Sequence, residues 1–99
     1  MKIPDLDDSQ YRQRLSAGDP QVLEEVFDHY TLYVANRACK KGYSHEDAED
    51  ITQEAVFAVS NAIRSALKVG SQLTFDSRAD FEGYLMTTAF SKIHNYANQ

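Results

Sequence analysis

The sequence predicts an all-α protein, a compact bundle of about four helices, on three observations. Apolar residues recur at three- and four-residue steps over long stretches; helix-start signals precede these stretches and glycines follow three of them; and no run of alternating β-branched residues marks a strand. The chain has 99 residues, 42% hydrophobic and 25% charged, which suits one domain able to bury roughly two-thirds of its unfolded surface. Glycine and proline total six, with no internal repeat or low-complexity segment to suggest a linker.

The first helix is expected from about Asp8 to Ser16, closing at Ala17-Gly18. Asp19-Pro20 then supplies a capping acid followed by proline at the first helical position, where its missing N–H costs nothing. From Pro20 an apolar stripe of Leu23, Val26, Phe27, Tyr30, Tyr33, Val34 and Ala38 runs until Lys40-Lys41-Gly42, and the two lysines suit the negative end of a helix. Ser44 with Asp47 forms a variant capping box, so a third helix starts near His45 and frays around Lys68-Val69-Gly70. The stretch to Phe75 lacks a clear period. Ser77 with Asp80 repeats the cap signature, and a fourth helix is expected from near Arg78 to about Ala97.

The same sequence excludes several function classes. One cysteine, Cys39, precludes an internal disulfide, and His29, His45 and His94 are scattered without metal-ligand spacing, so neither metal nor cofactor is expected. No apolar run approaches the roughly twenty residues of a membrane span, which leads to the expectation of a cytoplasmic protein without membrane contact. There is no glycine-rich phosphate loop and no nucleophile-plus-base constellation, so no catalytic residue is assigned and a non-enzymatic role is expected. Fifteen acids against ten bases give a net charge of −5. Bulk electrostatics therefore oppose binding to nucleic acid, and any such contact has to be local.

The third helix has a face that a lone bundle does not need. At 100° per residue, Ala48, Ile51, Thr52, Ala55, Val59, Ala62, Ile63 and Ala66 share one side, which is the expected core. Opposite lie Asp50, Gln53, Glu54, Phe57, Asn61 and Arg64, an aromatic ring amid polar groups. Phe57 is either one of the ordinary apolar side chains of a protein surface, or covered by the segment Val69 to Phe75, or the anchor of a docking face whose rim orients the partner. First-turn acids such as Glu46, Asp47 and Glu49 are explained by the helix dipole alone. Asp50, Gln53 and Glu54 lie beyond it, and between Gly42 and Ile63 there is no lysine or arginine. The expected partner surface is basic.

Three strings of this chain resemble region two of bacterial sigma factors of the extracytoplasmic-function (ECF) group. They run from Leu15-Ser-Ala-Gly-Asp-Pro through Val26-Phe-Asp-His-Tyr30, from Asp47-Ala-Glu-Asp-Ile-Thr-Gln-Glu-Ala-Val-Phe57, and across Phe81-Glu-Gly-Tyr-Leu85. The resemblance covers about residues 8 to 99, and its most specific part is the middle string. It implies a sigma region-two fold and a transcription initiation role, with the third helix docking on the clamp helices of the largest subunit of core RNA polymerase. Asp50, Gln53 and Glu54 match the family's polymerase-binding positions. The family's phenylalanine falls at Val56, so Phe57 and Asn61 join the docking set on helical phase. An anti-sigma factor is a further partner the resemblance suggests.

In that family the fourth helix and the connection before it open the promoter and hold a flipped base of the minus-ten element on the non-template strand. By position, Tyr84 replaces the usual tryptophan, and Thr88, Ser91 and Asn95 match the DNA-facing side. Lys92 is the only base after Arg78. In the connection, Lys68, Phe75 and Arg78 supply groups able to stack on a base or neutralise phosphate, as melted strands require, though the same residues also suit a plain surface loop. The fourth helix carries two apolar stripes, one of Phe81, Tyr84, Leu85, Ala89 and Tyr96, the other of Met86, Phe90, Ile93 and Ala97. It thus also reads as a central packed helix or one that pairs with a second copy.

The expected function is a sigma domain that binds core RNA polymerase and helps recognise and melt the minus-ten element. A C-terminal helix-turn-helix domain, which relatives carry, is expected to lie outside this chain. The alternative is a sigma-like helical interaction module without DNA binding, favoured by the acidic balance and the shortage of cations on the fourth helix.

Overall fold

The structure, a computed structural model, describes residues 4–97, with side chains described up to Ser91. It contains α1 (Ser9–Ser16), α2 (Pro20–Lys40), α3 (His45–Lys68) and α4 (Arg78–Ala97), with no strand among the described residues.

Each helix begins where a short polar side chain replaces a missing backbone acceptor. The Asp8 carboxylate accepts from the Gln10 N–H at 2.9 Å and Asp19 from the Gln21 N–H at 3.0 Å. The hydroxyls of Ser44 and Ser77 accept from the N–H groups of Asp47 and Asp80 at 3.1 and 3.0 Å. Such caps contribute about 1 kcal/mol each. At the last start, the Asp80 carboxylate also reaches back to accept from the Asp76 N–H at 3.0 Å. At Asp19, a hydrogen bond from Arg14 at 3.0 Å holds the carboxyl below its ordinary range, and the backbone bonds add to it.

The helices α1, α2 and α3 end alike. Gly18, Gly42 and Gly70 take positive φ of 77°, 100° and 76°, and in each case the glycine N–H and the following N–H bond back to carbonyls of the last turn. This is the Schellman arrangement, which favours glycine because a Cβ is strained at positive φ. At Gly18 a Cβ would also stand 2.9 Å from Leu67 Cδ1, so the α1–α2 corner sits tightly on the end of α3.

Helices α2 and α3 form the main pairing, α4 packs along α3, and α1 lies on α2. The core joins Leu6, Leu15, Val22, Val26 and Val34 to Val59, Ile63, Phe81 and Leu85, all at 0% exposure. A smaller cluster of Ala38, Ala48 and Ile51 closes the far end of the α2–α3 pair. The predicted inner face of α3 is buried from Ala48 to Ile63, with Ala62 and Ala66 half-buried. Buried polar atoms are matched: the Thr52 hydroxyl donates to the Ala48 carbonyl at 2.7 Å, and no described buried side-chain nitrogen or oxygen lacks a partner.

Two tyrosines tie helices together by their tips. Tyr11 donates to Glu25 at 2.9 Å, joining α1 to α2, and Tyr30 donates to Glu82 at 2.9 Å, joining α2 to α4. Burial, with the carboxylate bond second, pushes both phenols well above their ordinary pKa. The connection before α4 is fixed by Arg12, whose guanidinium donates to the Phe75 carbonyl at 3.1 Å and the Leu6 carbonyl at 2.9 Å.

Candidate functional site

The outward face of α3 is open along its length. Asp50, Gln53, Glu54, Phe57, Asn61 and Arg64 are all exposed, and Phe57 is 68% exposed. The segment 69–75 therefore does not cover the ring. Steps of three and four residues place these side chains in one strip, directly behind the buried Ile51, Ala55 and Val59. Asp50 and Glu54 stand one turn apart with no ion-pair partner among the described residues, whose salt bridges are Arg14–Asp19 and Arg78–Asp7. Like charges at that spacing cost a few tenths of a kcal/mol in an isolated helix. A cationic partner would relieve that repulsion, and the Phe57 ring, about one turn beyond Glu54 on the same strip, would supply the apolar contact.

The residues expected to meet DNA fare less uniformly. Phe75 requires a correction: its ring is only 7% exposed and packs edge-on against Phe81 and Tyr84, with centroids 5.1 and 5.7 Å apart. A ring held in the core has no free face for a base. It is buried because Arg12 draws the connection inward and Phe81 offers an edge-on partner, neither of which a local reading detects. Arg78 is engaged as well, in a 2.8 Å bond to Asp7, and the Thr88 hydroxyl donates to the Tyr84 carbonyl in its own helix at 3.0 Å. Tyr84 is 36% exposed; Lys68 and Ser91 are exposed. Lys92 and Asn95 lie on α4 but their side chains are outside the described residues. Of the second apolar stripe of α4, Met86 is buried at 8% and Phe90 is exposed at 40%, so the two residues do not form one open face.

Lys40 and Lys41, read from the sequence only as helix-end residues, meet Arg37 and Phe90 in one cleft. No signal within either helix indicates this. Cys39 Sγ and His45 Nδ1 are 4.0 Å apart, but no group of three or more metal-ligating side chains occurs among the described residues. No helix among the described residues is long and apolar enough to cross a membrane.

No family model, curated protein or solved structure matches this chain.

Proposed function

We propose that the chain is a region-two domain of a sigma-type transcription initiation factor, which docks on core RNA polymerase through the outward face of α3 and contributes to opening the promoter. The observation that carries the reading is Phe57, 68% exposed, set among exposed Asp50, Gln53, Glu54 and Asn61 on a helix whose other side is closed core. An aromatic anchor with an acidic and amide rim complements a basic helical surface, the ring through desolvated area and the rim through orientation. The sequence resemblance supplies the identity of that surface, the polymerase clamp helices.

The test is affinity for purified core polymerase at moderate ionic strength. The wild-type domain should bind, and Phe57→Ala and Gln53→Ala should each weaken binding by about tenfold. Failure of the wild-type domain to bind removes the reading. A second reading, a sigma-like interaction module without DNA binding, is supported by the engaged states of Phe75, Arg78 and Thr88. It predicts polymerase binding without binding of minus-ten single strands.

A further inference from the structure

The cations that are few on α4 are gathered at the C-terminal end of α2. Arg37, Lys40 and Lys41 line one side of a cleft of about 300 Å³, and Phe90 of α4 lines the other. Lys41 Nζ lies 4.6 Å from the centre of the Phe90 ring. Arg37 lies 4.9 Å over the Tyr33 ring and donates to its hydroxyl at 3.0 Å, which leaves other guanidinium donors for a ligand. None of the three cations makes an ion pair among the described residues, although the protein carries a net charge of −5.

Cations in the last turn of a helix are favoured by its dipole, and that accounts for Arg37 and Lys40 as sequence choices. It does not account for Lys41 leaving its own helix end to sit on a ring of α4, nor for a Phe left 40% exposed beside it. A ring next to unpaired cations matches the two requirements of a single-stranded nucleic acid, a stacking surface for a base and neutralisation of the phosphates flanking it. A simple anion would need no ring, and an apolar peptide would need no cations. Phe90 is six residues beyond Tyr84, about 120° around α4, so the cleft is a different surface from the one marked by Tyr84 and Ser91.

We infer that the cleft between the C-terminal turn of α2 and Phe90 of α4 holds a nucleotide unit of single-stranded DNA, with a base stacked on Phe90 and its phosphates on Arg37, Lys40 and Lys41. The ligand class rests on the transcription-initiation reading; the location rests on the geometry alone. A base entering the cleft displaces Lys41 from the ring toward the adjoining phosphate, exchanging an exposed cation–π contact for a stack.

The experiment is fluorescence anisotropy of a labelled oligothymidine of about a dozen nucleotides with the intact chain at about 50 mM salt. Binding is expected, with log K falling against log salt at a slope of about −2 for three phosphate-neutralising cations. Lys40→Gln/Lys41→Gln should weaken it about tenfold and flatten the slope, and Phe90→Ala should weaken it several-fold at unchanged slope, with thermal melting showing that both variants fold. No binding by the wild-type chain, or binding indifferent to these variants, overturns the inference. Equal competition by thymidine monophosphate or by a short polyglutamate also overturns it, since the cleft would then read a small phosphate or bare charge. Core polymerase affinity, measured on the same samples, separates the two claims. If polymerase is ignored while the oligonucleotide binds through the cleft, the initiation reading falls and the cleft stands; the reverse result leaves the α3 docking face and removes the cleft.

Discussion

The outward face of α3 and the cleft between α2 and α4 are opposite in charge and in construction. The first is a strip of one helix, acidic, anchored by Phe57 and backed by Ile51, Ala55 and Val59. The second is basic, lined by Phe90 of α4 and by cations at the end of α2, where Lys41, the cap residue after α2, reaches the ring. A face made by one helix is recorded in the period of its residues, whereas a cleft made by two helices forty or more positions apart is recorded nowhere in local sequence. The difference also predicts how each fails. Damage behind the α3 strip should unfold the domain, while damage to either anchor should cost binding and leave the fold intact.

The largest effect is expected at Ile51, which is 1% exposed directly behind the acidic strip. Ile51→Ala should lose about 2–5 kcal/mol in denaturant unfolding, because the removed atoms leave a cavity that the α2–α3 seam only partly closes. Phe57→Ala should instead keep its Tm within about 3 °C of wild type, as expected for an exposed side chain, while losing the polymerase affinity proposed for this face. A variant that unfolds at Phe57 would erase the distinction between the two faces of the helix.

Gly18→Ala should be next, at about 1–2 kcal/mol, because the position demands positive φ. The clash with Leu67 Cδ1 involves the end of a flexible side chain and should add little. If Gly18→Ala loosens the α1–α2 corner without altering either proposed binding surface, both surfaces depend only on α2, α3 and α4.

The smallest effect concerns Tyr30, whose phenol has its pKa raised above 10 by burial and by its bond to Glu82. Below pH 10 both folded and unfolded states keep the proton. Above it the unfolded chain releases the proton while the folded one retains it, so stability falls as pH rises from about 10. Tyr30→Phe should cost about 1 kcal/mol near neutrality and flatten that alkaline decline in urea titrations across pH 9 to about 11. Unchanged alkaline behaviour in the variant would show that the link between α2 and α4 is not made by the phenol.

Helix limits were legible because caps and stops are local chemistry. Asp19-Pro20, Ser44 and Ser77 start helices, and Gly18, Gly42 and Gly70 end them, as the hydrogen bonds of the structure show. The inner and outer faces of α3 were legible for the same reason, since a 3.6-residue period sorts side chains before any partner is known. The position of Phe75 was not. Its neighbours in sequence mark an aperiodic connection, and its burial depends on Arg12, sixty-three positions earlier, bonding its carbonyl, and on Phe81 offering a ring edge.

The sequence by itself therefore determined the number, limits and amphipathic faces of the helices, because hydrogen-bond capping and helical period act within a few residues. Tertiary structure alone decided which aromatic rings are available and which cations meet them. Phe75 turns inward and Phe90 outward, and Arg37, Lys40 and Lys41 face α4, because burial and charge placement depend on how α1, α2 and α4 pack, and packing is a property of distant residues brought together.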